Sequence, residues 1–326
     1  MHSILNNTKS NLFEPYQDME SRALLYHYLN HPENWWEANA RYANSIIMSV
    51  IYGRRSDLGD EDMANLLSNL EKSTPHGKSG DGGEMLFINQ QENRNINGEF
   101  TEEESYFMAG TLIEAGSDTT RITLMEILAA AVLCPDWIGR TQRQLDSVCG
   151  YKAERLPTFD DMTKLPLVKG VVKEALRWKP SIVETGVPHA LTKDDTFDGY
   201  RIAAGTVVTY NNWAISHLDY EDPDRFYPER FLDDDLDVPT KGHVGFGAGR
   251  RVCVGNNVAW NNMLISVSRL LYCFDIEEVP GKPVDASRSF LVEYGKLPFM
   301  VKIKPRSEAH AQLIQRECSD AAKMDD

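Results

Sequence analysis

Apolar side chains between residues 18 and 29 fall at 19, 23, 24, 25 and 28, close to the repeat of a helix. Pro32 separates this segment from a second helix expected over 36–52 and closed by Gly53, and a third is expected over 61–71. From Ser73 to Gly98 the pattern vanishes. Pro75, four glycines between 77 and 83 and the polar run NQQENRNING predict a loop or linker. Order restarts at Thr101, which forms a capping box with Glu104. The helical pattern then continues to Cys134, where Pro135 stops it. At 1.5 Å per residue that helix is roughly 50 Å long, the length of a central beam. Asp136 is expected to cap the next helix, which Gly150 ends, and another helix is expected over 167–178. TFDGYRIAAGTVVTY, 196–210, predicts a β-hairpin turning at Ala204-Gly205. The acidic, proline-rich stretch 219–240 predicts irregular chain; 254–274 predicts a helix and 299–304 a strand. The polar end is expected to fray. The pattern as a whole predicts a mainly α fold with a small β portion and no internal repeat. It divides the chain into a helical segment 1–72, a linker 73–98, a core 99–307 and a polar tail 308–326.

Composition changes this picture little. The 326 residues suffice for one large domain or two ordinary ones, and 42% apolar with 25% charged residues is ordinary for a folded protein. A net charge of -15 argues against nucleic acid or an anionic membrane as a partner. The longest strictly apolar run, 127–133, is too short to span a bilayer, and MHSILNNTKSN does not read as a signal peptide. Five scattered cysteines without a CxxC pair suggest a reducing compartment.

One of those cysteines carries the chemistry. It lies in Phe246-Gly-Ala-Gly-Arg-Arg-Val-Cys253-Val-Gly255. The glycines before it let the backbone turn tightly and pass close to a flat ligand. The helix expected after Gly255 puts Cys253 near a helix N-terminus, where free amides and the helix dipole favour a thiolate. A buried cysteine after a glycine turn is the bland alternative. The segment matches every fixed position of Phe-x-x-Gly-x-Arg-x-Cys-x-Gly, and so resembles the haem-binding loop of the cytochrome P450 family. The resemblance implies haem b with Cys253 as axial thiolate ligand to iron, pushing electron density toward O–O cleavage. Phe246 then belongs to the haem loop, and Arg251 pairs with a haem propionate.

Further motifs extend the resemblance, closest to fungal-type members. Glu174-Ala-Leu-Arg177 resembles the family's Glu-x-x-Arg pair, and Pro228-Glu-Arg230-Phe231 its Pro-Glu-Arg-Phe element. The implied Glu174–Arg177–Arg230 network is structural; removing one member would strand buried charge at a cost of about 3–5 kcal/mol. Ala115-Gly116-Ser117-Asp118-Thr119-Thr120 is poor helix-interior sequence. It resembles the oxygen-activation motif, in which Gly116 leaves room for dioxygen, Thr119 hydrogen-bonds the bound oxygen and Asp118 relays protons. Val187-Pro188-His189 lies where the family places a propionate contact, implied here for His189. His217 reads as a structural hydrogen-bonder, His243 as exposed, and Trp35 and Trp36 as packing residues. From 240 to 255 no acid appears while Lys241, Arg250 and Arg251 do, a basic face suited to an acidic electron donor.

Two departures mark a truncated version of the fold. Family members carry a longer N-terminal portion, including in eukaryotes an endoplasmic-reticulum anchor, part of the sheet and helices covering the haem. Residues 73–98 stand where two long helices should roof the substrate pocket. No anchor segment is evident, so localisation is left open, a cytoplasmic one included. The resemblance implies a monooxygenase that hydroxylates or epoxidises an apolar small molecule in secondary metabolism, with electrons from NADPH through a reductase. A non-catalytic remnant with weak or no haem binding, and a haem-thiolate isomerase or dehydratase, are the alternatives.

Overall fold

The computed structural model describes residues 10–56, 101–181, 187–285 and 297–323. Eight α-helices lie among them: α1 Glu14–Asn30, α2 Trp35–Tyr52, α3 Glu102–Leu133, α4 Ile138–Cys149, α5 Pro166–Trp178, α6 Asn212–Leu218, α7 Asn256–Cys273 and α8 Glu308–Lys323. The helix expected over 61–71 and the linker 73–98 lie outside the described residues.

The long helix α3 begins as its sequence dictates. Thr101 accepts from the Glu104 N–H at 3.2 Å and the Glu104 carboxylate accepts from the Thr101 N–H at 2.8 Å. Its apolar stripe packs on α2, α5 and α7. Leu124, Met125, Leu128 and Ala129 share one core with Tyr42 and Ile46 of α2, Val171 and Val172 of α5, and Leu264 and Ile265 of α7. Trp35 and Trp36 are buried in that core, and Arg121 stacks over Trp36 at 4.4 Å.

Six short strands make three separate antiparallel pairs: β1 His189–Ala190 with β4 Val207–Val208, β2 Asp195–Phe197 with β3 Tyr200–Ile202, and β5 Phe274–Glu278 with β6 Val301–Pro305. The expected hairpin turn moves. The chain reverses at Asp198 and Gly199, both in the left-handed region that a two-residue hairpin demands. The Ala204-Gly205 turn instead leads into β4, which returns to β1 in the register His189↔Val208.

Two more expectations change. Asp136 is no helix cap: it sits in the 3-10 turn Pro135–Trp137, and α4 starts after it. The polar tail is not frayed but forms α8, whose His310, Leu313, Ile314, Cys318 and Ala321 are buried. A single apolar stripe in a polar segment suffices to dock a helix.

Candidate haem-ligand site

Between the Pro228–Phe231 turn and α7 the chain folds back on itself to present Cys253. Gly247 and Gly249 take φ values of 73° and 64°, left-handed geometry that favours glycine. The loop is then closed by the Cys253 N–H donating to the Phe246 carbonyl at 2.8 Å. Phe246 is buried and anchors the loop in the core, with the His243 ring 5.7 Å away. Beyond the cysteine, Gly255 caps α7 and its N–H is directed at the sulfur. Residue Cys253 keeps an exposed face, although protein is packed densely behind it. That packing pushes the thiol pKa up, and the Gly255 N–H only partly offsets it. The expected bias of a helix N-terminus toward thiolate is therefore outweighed by desolvation in the chain alone; a bound metal is what deprotonates such a sulfur.

Behind this loop lies a buried ionic cluster. Glu174 and Arg177, both fully buried on α5, meet through two hydrogen bonds of 2.6 and 2.9 Å. Arg230 donates to the same carboxylate at 3.0 Å, and the Tyr227 N–H at 2.7 Å. Arg177 also reaches the carbonyls of Ser216 and Pro223, each at 2.9 Å. The irregular acidic segment is thereby tied to α5. Sequence reasoning missed Gly170, where a Cβ would stand 2.6 Å from the Pro228 carbonyl; only a bare backbone lets the turn lie there. It also missed Lys173, which donates to the carbonyls of Asp235 and Lys241 at 2.6 and 3.1 Å. His243, expected to be exposed, is half-buried. Its Nδ1 accepts from the Gly245 N–H at 3.1 Å, and burial, with Lys173 nearby, lowers its pKa to about 4. The His217 ring bonds the Trp213 carbonyl at 2.8 Å and stacks on the Trp213 ring.

On α3 the motif residues separate onto two faces. Phe107, Thr111 and Ala115 are exposed and lead, at four-residue steps, to half-buried Thr119. Thr119 donates to the Ala115 carbonyl at 2.8 Å, and Asp118 is held by Arg121 at 2.6 Å. Gly116 lies on the adjoining flank, toward the packed side with Ala109, Leu112 and Ile113. A Cβ there would meet Ile47 of α2 at 2.8 Å. A side chain at Gly116 would thus crowd the crossing of α3 with α2, so the glycine has a packing role as well as the one its motif implies. His189 is half-buried in β1, while Lys241, Arg250 and Arg251 are exposed. The Tyr210 hydroxyl, just past β4, lies near Gly247 and so brings the β1–β4 pair beside the loop.

These residues fit a haem. Among the described residues no group of three or more His, Cys, Asp or Glu side chains could hold a metal ion. An iron at Cys253 must bring most of its ligands with it, as a porphyrin does, and one accessible sulfur is then the donor required. Exposed Arg251 beside it is suited to acidic ring substituents.

The comparisons agree with this geometry. The family model for cytochrome P450 matches residues 43–303. Cytochrome P450 monooxygenase fsoB of Humicola fuscoatra is 31% identical over 96% of this chain and 70% of its own length. Cytochrome P450 monooxygenase verL of Clonostachys rogersoniana is 28% identical over 98% of this chain and 71% of its own. A zebra fish cytochrome P450 solved with abiraterone superposes with a TM-score of 0.68 at 23% identity, over 94% of this chain and 80% of that one. The chain belongs to the cytochrome P450 family. It is a cytochrome P450-type monooxygenase, and the chain spans about 70% of the length of these two fungal relatives. The verL alignment runs over 394 positions, more than the 326 residues here, so the relative carries segments inside the match that have no counterpart in this chain. Among the described residues no single helix is long and apolar enough to cross a membrane.

Proposed function

We propose that this chain is a haem-thiolate monooxygenase that inserts one atom of dioxygen into a C–H or C=C bond of an apolar small molecule, the other atom leaving as water. The observation that carries this reading is the Cys253 sulfur, presented on a glycine-turned loop that is closed onto Phe246. Haem b, ligated by Cys253 and held at its propionates by Arg251 and His189, supplies the activation of dioxygen. Everything else falls to the chain. Phe107, Thr111 and Ala115 offer the substrate the face of α3 that ends at Thr119. The Thr119 Oγ1 proton, given in this structure to the Ala115 carbonyl, can turn toward that face. Asp118, partly exposed and steadied by Arg121, resupplies it from solvent. Electrons come from NADPH through a reductase whose acidic surface is steered to Lys241, Arg250 and Arg251, with rates that fall as salt is raised. The relatives verL and fsoB are fungal, in keeping with the resemblance to fungal-type members from which a role in secondary metabolism is inferred.

The test is a carbon monoxide difference spectrum of the reduced, purified protein. The strongly red-shifted Soret band of a thiolate-ligated haem is expected from the wild type and should be absent in Cys253→Ala. An unchanged band in that variant would sink the assignment.

A further inference from the structure

The family-model match spans 43–303, and two helices outside it pack against each other: α1 at the start of the described chain and α8 at its end. Their contact is stitched as well as packed. The Arg22 side chain of α1 donates to the Glu317 carbonyl at 3.3 Å and pairs with its carboxylate at 3.6 Å. Gln315 reaches Asn30 at 3.4 Å. Arg55, just beyond α2, binds the Glu20 carboxylate of α1 and, at 2.9 Å, the Ala321 carbonyl. That carbonyl belongs to the last turn of α8, which has no partner within its own helix, and a cation there also meets the negative end of the helix dipole. Beneath these stitches Leu313, Ile314 and Cys318 are fully buried.

Helix α1 in turn holds the helix that follows Cys253. Gln17 donates to the Val258 carbonyl in the first turn of α7 at 3.1 Å. Fully buried Arg269 of α7 donates to the Asp18 carbonyl at 2.8 Å and the Ser21 hydroxyl at 2.6 Å, and pairs with the Asp18 carboxylate. Val254 and Val258 pack in one apolar cluster with Phe13, which immediately precedes α1.

We propose that α8 is a strap: it clamps α1, and through α1 it holds the first turn of α7 and the cysteine loop in position. Its residues are positioning residues that touch no reactant. Arg316 is exposed at the middle of α8, so Arg316→Pro breaks the helix without removing core volume. Hydrogen exchange of the full chain then reads the consequence. The proposal expects exchange to quicken about tenfold or more in 14–30 and in 254–262 as well as in 308–323, with 166–178 of α5 unchanged. Arg316→Ala, which keeps the helix, should leave all four segments as in the wild type. If Arg316→Pro does not fold, the milder Arg316→Gly should give the same pattern at smaller amplitude. A rise confined to 308–323, one that stops at 14–30, or one spread evenly into 166–178 would each overturn the strap.

Discussion

The two halves of the site meet opposite physical demands. Around Glu174 every charge is answered, and Glu174 and Arg177 are fully inside: two guanidinium groups and the Tyr227 N–H converge on one carboxylate. Around Cys253 the backbone is answered but the sulfur keeps an open face. The buried cluster derives its rigidity from a low-dielectric interior, where a half-satisfied charge is costly. The loop derives its shape from glycine dihedrals and one backbone hydrogen bond, and so leaves its reactive atom free. A buried, fully paired scaffold thus supports an accessible sulfur.

Variants can break this comparison in order of effect. The largest is Cys253→Ala, expected to remove the thiolate-type band while leaving the urea midpoint of the haem-free chain close to wild type; a lowered midpoint would show that the loop is also a structural element. Glu174→Ala should do the reverse. It strands Arg177 at a cost of about 3–5 kcal/mol, seen as a fall in urea midpoint or as insoluble protein. A midpoint equal to wild type would mean that the cluster contributes no stability. Gly116→Ala should cost about 1–3 kcal/mol through its clash with Ile47, and less when it is introduced into an Ile47→Ala background. An equal cost in both backgrounds would show that Ile47 is not what the glycine accommodates.

A pH series gives a smaller effect. Glu126 is buried on α3, and desolvation raises its pKa to about 8, with Lys179 opposing the shift. Its folded-state pKa exceeds the unfolded one, so the folded chain holds the proton more tightly. That stability is present below about pH 4.5 and is lost as pH rises through about 8. Glu126→Gln should therefore gain on the wild type in thermal midpoint from pH 5 to pH 9. A constant difference would contradict it. The smallest change in stability belongs to Thr119→Ala, within about 1 kcal/mol for the loss of one partly exposed hydrogen bond. Its signature is instead a larger share of NADPH electrons ending as peroxide, and unchanged coupling would refute the proton-relay role.

Much of this was legible from residue order alone. The ends of α2, α3 and α4 and the start of α3 follow from Gly53, Pro135, Gly150 and the pair Thr101 with Glu104, because caps and breakers act within a turn of themselves. The cysteine loop was legible because its glycines, arginine and cysteine lie within ten residues. The turn at Asp198-Gly199 was misplaced because Ala204-Gly205 carries a similar local signal, and only the pairing of β4 with β1 distinguishes them.

What the sequence by itself determined was most of the longer helices and the motifs that mark the family, since caps, breakers and motifs act over short stretches of chain. What tertiary structure alone decided was which face each residue took. Gly116 turned to Ile47, His243 turned inward, and the tail that composition would leave frayed became α8 because α1 offered its narrow apolar stripe a place to dock. Burial depends on what arrives from far along the chain, and no local pattern records that arrival.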